Sequence, residues 1–162
     1  MFKKRKDVLL LVYGKGGHNA QMKRFMNQYD SRELPCIAIT SATEVDVDVM
    51  ASFYCMEARD KFSRYKNIFV FFIYLFVSAV QMLRIISKYR VVGLVSTGPG
   101  LAIVPSIICR IIRAKVIYFE SWSRISKPSL AGRFMYYIAN IFYVQHESLQ
   151  KEYPKAIYAG RL

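Results

Sequence analysis

At 162 residues the chain has room for about one domain with a core of its own, which excludes a large multidomain enzyme. Hydrophobic residues make up 54% and charged residues 22%, and mean hydropathy is +0.18, so a disordered chain is excluded and a membrane surface is favoured. With 24 Lys and Arg against 11 Asp and Glu, the net charge of +13 suits an anionic partner: nucleic acid, acidic lipid or phosphate. Cys36, Cys55 and Cys109 lie far apart in apolar stretches and read as reduced core thiols. Two histidines and no CxxC pair leave no ligand set for zinc, so no metal is expected.

In chain order, a basic start leads into the apolar run Val8–Val12 and then into glycines rather than a cleavage site, which reads as a buried first strand, not a signal peptide. Ala20, Met22, Phe25, Met26 and Tyr29 have helical spacing, and Cys36–Thr40 is of strand length. Strand, glycine turn, helix and strand make one βαβ unit. A polar loop with Glu44, Asp46 and Asp48 follows, then a weak strand near Phe53–Cys55. Asp46 and Asp48 resemble an Asp-x-Asp metal motif, but two carboxylates in a polar loop are ordinarily just solvated.

Ile68–Val80 is almost wholly apolar and continues amphipathically to Lys88, predicting a long helix over about residues 66–89. The uniformly apolar part covers roughly 20 Å, short of the roughly 30 Å hydrocarbon core. With cations and tyrosines on both flanks, it is expected to lie in or dock onto a bilayer of anionic lipid; burial between sheet and partner is the plainer alternative. Strands at Val91–Ser96, Lys115–Phe119, Ile141–Val144 and Ala156–Tyr158 then alternate with helices at Leu101–Ile112 and Ser129–Ala139. This alternation predicts an α/β fold: a Rossmann-like parallel sheet with helices on both faces, one domain over residues 1–162.

Ligands of open α/β sheets sit beyond the carboxyl ends of the strands, and three such segments are unusual here. Gly14, Lys15, Gly16, Gly17, His18 and Asn19 form a glycine turn whose backbone N–H groups suit a phosphate. The Walker pattern is absent, and the dinucleotide fingerprint fails because Asn19 stands where its third glycine belongs. His18, at a helix amino end where the dipole disfavours imidazolium, is a candidate proton acceptor or orienting donor, with simple turn capping as the alternative. Ser96, Thr97, Gly98, Pro99 and Gly100 form a second loop able to contact sugar or phosphate, or merely to turn. In the third, Glu120 leaves a strand end beside Ser121, Trp122 and Arg124; it is either a substrate-facing carboxylate or the structural partner of Arg124.

These three loops, with the ending Tyr153-Pro154-Lys155-Ala156-Ile157-Tyr158-Ala159-Gly160-Arg161-Leu162, resemble one family over essentially the whole chain. It is the acceptor-side subunit of split GT-B glycosyltransferases: PssD/CpsF-like bacterial polysaccharide subunits and the membrane-anchoring partner in the UDP-GlcNAc transferase of dolichol-linked oligosaccharide synthesis. More distantly, the loops resemble the amino half of MurG, the peptidoglycan lipid-intermediate GlcNAc transferase. Eukaryotic members carry an amino-terminal anchor where a basic hexapeptide precedes the first strand here, so the resemblance favours a bacterial-type subunit of capsule or exopolysaccharide synthesis. It implies a fold equivalent to the N-terminal half of a GT-B enzyme and no cofactor. It also implies a polyprenyl-diphosphate-linked acceptor, a heterodimer with a small UDP-sugar-binding subunit, activity only with that partner, and a peripheral or monotopic place at the cytoplasmic face of the cell membrane. The expected chemistry is inverting sugar transfer, with His18 or Glu120 taking the acceptor proton. Gly14, Gly16, Gly17, Asn19, Thr97, Gly98, Gly100, Ser121 and Arg124 would bind the acceptor diphosphate and sugar. A nucleotide-dependent oxidoreductase or kinase is disfavoured by the failed phosphate-loop patterns. A nucleic-acid-binding role is disfavoured by scattered charge and an apolar longest helix.

Overall fold

Runs of β-branched and aliphatic residues too short for helices become strands, and burial on both sides explains why the central ones are continuously apolar. The computed structural model describes residues 5–45, 47–55 and 64–162, with the backbone alone for 64–72. Seven strands form one sheet: β1 (Lys6–Tyr13), β2 (Cys36–Thr40), β3 (Ala51–Tyr54), β4 (Tyr89–Ser96), β5 (Lys115–Phe119), β6 (Ile141–Val144) and β7 (Ile157–Tyr158). Their order is β3-β2-β1-β4-β5-β6-β7, and every pairing is parallel. The order reverses between β1 and β4, which makes their carboxyl ends the switch point where such sheets open a crevice.

Register determines what meets there. Val12 lies opposite Ser96, and Ser96 opposite Tyr118. Two residues beyond each come Gly14, Gly98 and Glu120, so the three unusual loops leave the sheet at one level.

Helices α2 (Arg64–Lys88), α3 (Ile103–Ile111) and α4 (Leu130–Ile138) pack side by side over one face, around Leu10, Val12, Tyr74, Met82, Ile85, Cys109, Val116, Tyr118 and Met135. Helix α1 (Gly17–Met26) covers the other, with Met22, Phe25 and Met26 against Leu9, Leu11 and Tyr13. Leu10, Leu11, Ile37, Ile39 and Leu94 are fully buried, and each contributes about 2 kcal/mol by leaving water. The expected parallel sheet with helices on both faces is therefore present.

Several boundaries differ from expectation for local reasons. Helix α1 begins at Gly17, three residues before the helical spacing that starts at Ala20, because Gly16 turns the chain at φ 61° and its carbonyl accepts from Ala20 N–H at 3.0 Å. A 3-10 turn over Gly100–Ala102 precedes α3, and Pro105 falls in that helix's first turn, where no N–H is needed. Helix α4 starts where Ser129 Oγ accepts from Gly132 N–H at 2.8 Å. A second 3-10 turn, Glu147–Lys151, had no apolar periodicity to announce it. Among the described residues no helix is long and apolar enough to cross a membrane. Of the Asp-x-Asp pair, Asp46 lies outside the described residues, and exposed Asp48 accepts from Ser31 Oγ at 3.1 Å.

Candidate functional site

The first and second loops are fastened by a reciprocal pair of hydrogen bonds. His18 Nδ1 lies 2.6 Å from the Thr97 carbonyl, and Thr97 Oγ1 donates to the His18 carbonyl at 2.8 Å. A carbonyl only accepts, so Nδ1 carries a proton and donates it to Thr97. The His18 ring lies so close to Gly98 that a Cβ there would sit 3.0 Å from Cε1, and Gly98 holds φ 108°, a conformation that favours glycine. The same Cβ would lie 3.3 Å from Ser121 N, so the second and third loops also touch. Gly14 is close-packed too: its Cβ would meet Pro99 at 3.3 Å. Tyr118 donates to the Gly98 carbonyl at 3.0 Å from below; burial, followed by the neighbouring Glu120, raises its phenol pKa and keeps the proton on.

Gly16 and Gly100 face open space at the rim. Asn19 Oδ1 is buried with no hydrogen-bond partner among the described residues. Arg124 is exposed, with its backbone N–H closing a turn onto the Ser121 carbonyl at 2.9 Å.

Glu120 behaves differently from His18. It is 0% exposed, and its carboxylate accepts from Ser121 N–H at 2.9 Å, Ser129 Oγ at 3.1 Å and Tyr153 Oη at 3.2 Å. It lies two residues after Tyr118, hence on the same side of the sheet, and faces the amino end of α4, where the helix dipole favours a negative charge. Burial and then the adjacent Glu120 hold the Tyr153 phenol protonated as a donor.

The residue patterns left other components of the rim unassigned. Trp122, next to Gly17, has the Arg24 guanidinium 4.9 Å and the Arg161 guanidinium 5.9 Å from its ring, two cations brought to the loop cluster by α1 and the chain's end. Arg24 also donates to the Leu162 carbonyl at 2.7 Å. A hollow of about 160 Å³ between Lys23, Met26, Asn27, Tyr29 and Asp48 lies at the opposite end of α1 and is too small for a nucleotide.

A family model described as "Oligosaccharide biosynthesis protein Alg14 like" matches residues 9–162. The chain belongs to the Alg14-like family. It is similar to the human UDP-N-acetylglucosamine transferase subunit ALG14, 24% identical with 95% of this chain and 82% of that protein covered. It is also similar to the Candida albicans subunit of the same name, 28% identical over 95% of this chain and 77% of that one. Among solved structures, MurG of Acinetobacter baumannii superposes with a TM-score of 0.59 at 12% identity over 86% of this chain. The chain spans only 41% of MurG, and this likeness speaks for the fold alone. The GT-B-like architecture and the membership in a family of transferase subunits agree with the expectation from sequence.

Proposed function

We propose that this chain is the acceptor-binding subunit of a two-subunit UDP-N-acetylglucosamine transferase, working on a polyprenyl-diphosphate-linked sugar at the cytoplasmic face of a membrane. The observation that carries the reading is the fastening of the glycine turn to the Ser96–Gly100 loop at the β1/β4 switch point, with His18 Nδ1 held by the Thr97 carbonyl. Backbone N–H groups of Gly16, Gly17 and the Gly98–Gly100 segment would hold the diphosphate. Arg24, Arg161 and Arg124 would add positive charge, and Asn19 and Ser121 would meet sugar hydroxyls, while Thr97, fully buried with its hydroxyl on the His18 carbonyl, fastens the two loops instead of contacting the sugar. As the acceptor hydroxyl oxygen bonds to the anomeric carbon, the bond from that carbon to UDP breaks. UDP leaves with the electron pair, and His18 Nε2 takes the hydroxyl proton, inverting the centre. Glu120, committed to three donors of its own chain, positions the third loop against α4.

Membrane association is supported by the outer surfaces of α2, α3 and α4. Phe76 (71% exposed), Ile111 (74%), Leu130 (73%) and Tyr137 (85%) stand out from it, with Arg84, Lys88, Arg110 and Arg133 exposed among them. Between Arg64 and His146 the only acidic residue is Glu120, which is buried, against eleven Lys and Arg. An apolar face that carries cations and no exposed acid fits an anionic bilayer. On the other face, Phe119 and Tyr143 stack at 4.8 Å beside half-exposed Ile141, with α1 the one helix nearby among the described residues. That surface is offered to the UDP-sugar-binding subunit.

The test is reconstitution on vesicles with a UDP-sugar-binding subunit, UDP-N-acetylglucosamine and lipid-diphosphate acceptors. Transfer that needs both chains, and falls by roughly 10²- to 10⁴-fold with His18→Ala in an intact complex, is expected. No transfer from the pair, or an undiminished rate in the variant, overturns the reading. A bacterial capsule or exopolysaccharide acceptor is the other setting for the same chemistry, and the acceptor used in that assay distinguishes it.

A further inference from the structure

Gln21 follows His18 by one turn of α1 and is 0% exposed. A buried primary amide must find partners for both ends. One orientation of the side chain supplies them. The nitrogen donates to the Thr97 carbonyl at 3.1 Å, and the oxygen accepts from Trp122 N–H at 2.9 Å and from Gln145 Nε2 at 2.7 Å. Gln145 in turn donates to the Glu120 carbonyl at 2.9 Å and accepts from Leu162 N–H at 3.0 Å. A side chain rooted in α1 thus reaches the loop after β4, the loop after β5 and the end of β6.

The Thr97 carbonyl is the same oxygen that takes His18 Nδ1–H at 2.6 Å. Its two acceptor sites are divided between two residues of one helix face. We infer that Gln21 is the positioning residue of this site: it holds the Thr97 carbonyl where the Nδ1–H tautomer of His18 satisfies it, so that the basic nitrogen of the ring is Nε2, and it keeps the three loops in register. The catalytic consequence rests on the function proposed above; the hydrogen-bond arrangement does not. Other titratable groups border the network. His146 Nε2 donates to the Trp122 carbonyl at 2.7 Å, Arg24 and Arg161 lie over the Trp122 ring, and the Glu120 carboxylate faces Ser129 and Tyr153.

The chain has only two histidines, and the structure sets opposite ring nitrogens of the two, Nδ1 of His18 and Nε2 of His146, against carbonyls, which makes nitrogen NMR of the histidine-labelled full chain a direct test. In the unsubstituted protein His18 shows a protonated Nδ1, His146 a protonated Nε2, and the Gln21 side-chain amide protons exchange slowly with water. A protonated Nε2 on His18, or fast exchange at Gln21, overturns the inference without any variant. Gln21→Glu keeps an acceptor for Trp122 and Gln145 but sets an oxygen against the Thr97 carbonyl. His18 is then expected to become a mixture of tautomers while His146 is unmoved, and in the reconstituted assay kcat falls roughly tenfold with acceptor KM retained. A Gln21→Glu chain whose His18 signals match the unsubstituted protein overturns the positioning role even if activity falls. An inactive unsubstituted pair with the His18 tautomer as described instead sinks the function proposed above and leaves the positioning of His18 standing.

Discussion

Gly132 has no room for a side chain, because a methyl there would overlap the Glu120 carboxylate and come within 2.8 Å of the Tyr153 hydroxyl. Gly132→Ala is therefore expected to cost about 3 kcal/mol in denaturant unfolding, through forced displacement of a buried carboxylate. Glu120→Ala strands the Ser121, Ser129 and Tyr153 donors and should destabilise by about as much, whereas Glu120→Gln, which keeps an acceptor, should cost less. An unchanged melting temperature in Glu120→Ala together with lost turnover would make Glu120 the base in place of His18. The cysteines are buried, and burial raises the Cys36 and Cys55 thiols to about 11 and Cys109 to about 12. With so little thiolate, all three should resist alkylation at neutral pH until the chain unfolds, which mass spectrometry after iodoacetamide treatment reads directly. His18 and Gly98 were legible in sequence because glycine turns after apolar runs are local signals. Gln21 was not, because a glutamine on an amphipathic helix looks alike whether it meets water or, as here, carbonyls and amides from distant segments.

Helices show the same divide between pattern and partner. The apolar length and amphipathic tail of α2 were plain in the sequence, and its inner stripe, Tyr74, Ser78, Met82 and Ile85, is buried against the sheet. Its outer stripe, Ile73, Phe76 and Leu83, is exposed, and α3 and α4 extend that surface with Ile107, Ile111, Leu130, Phe134 and Tyr137. Sequence periodicity assigned the membrane to α2 alone, since the short α3 and α4 show no long apolar run. If the three helices share the bilayer, Phe76→Asp and Ile111→Asp should each weaken sedimentation with anionic vesicles by roughly tenfold or more, and raised salt should release the unsubstituted chain. Loss in the Phe76 variant with none in the Ile111 variant would confine the contact to α2.

For the whole molecule, pH dependence has a definite sign. The three buried thiols and the Tyr74, Tyr118 and Tyr153 phenols all have raised pKa values in the fold, chiefly from burial. The unfolded chain therefore loses these protons first, and their contribution is complete below the ordinary thiol value of 9.0 and lost as pH climbs toward the folded values. The melting temperature should fall steadily above pH 9, and a flat profile to pH 11 would show that these groups are wet in solution. Strand-length apolar runs separated by glycine-rich turns were enough to dictate a parallel α/β sheet, because alternation with helices leaves few other ways to bury both faces. They also dictated that the three loops share its carboxyl edge. What each loop does was decided in three dimensions: which carboxylate turns inward, which carbonyl the imidazole meets, and which glutamine joins the loops. Hydrogen-bond partners depend on the register that brings Val12, Ser96 and Tyr118 level, and register is a property of the assembled sheet that no single segment contains.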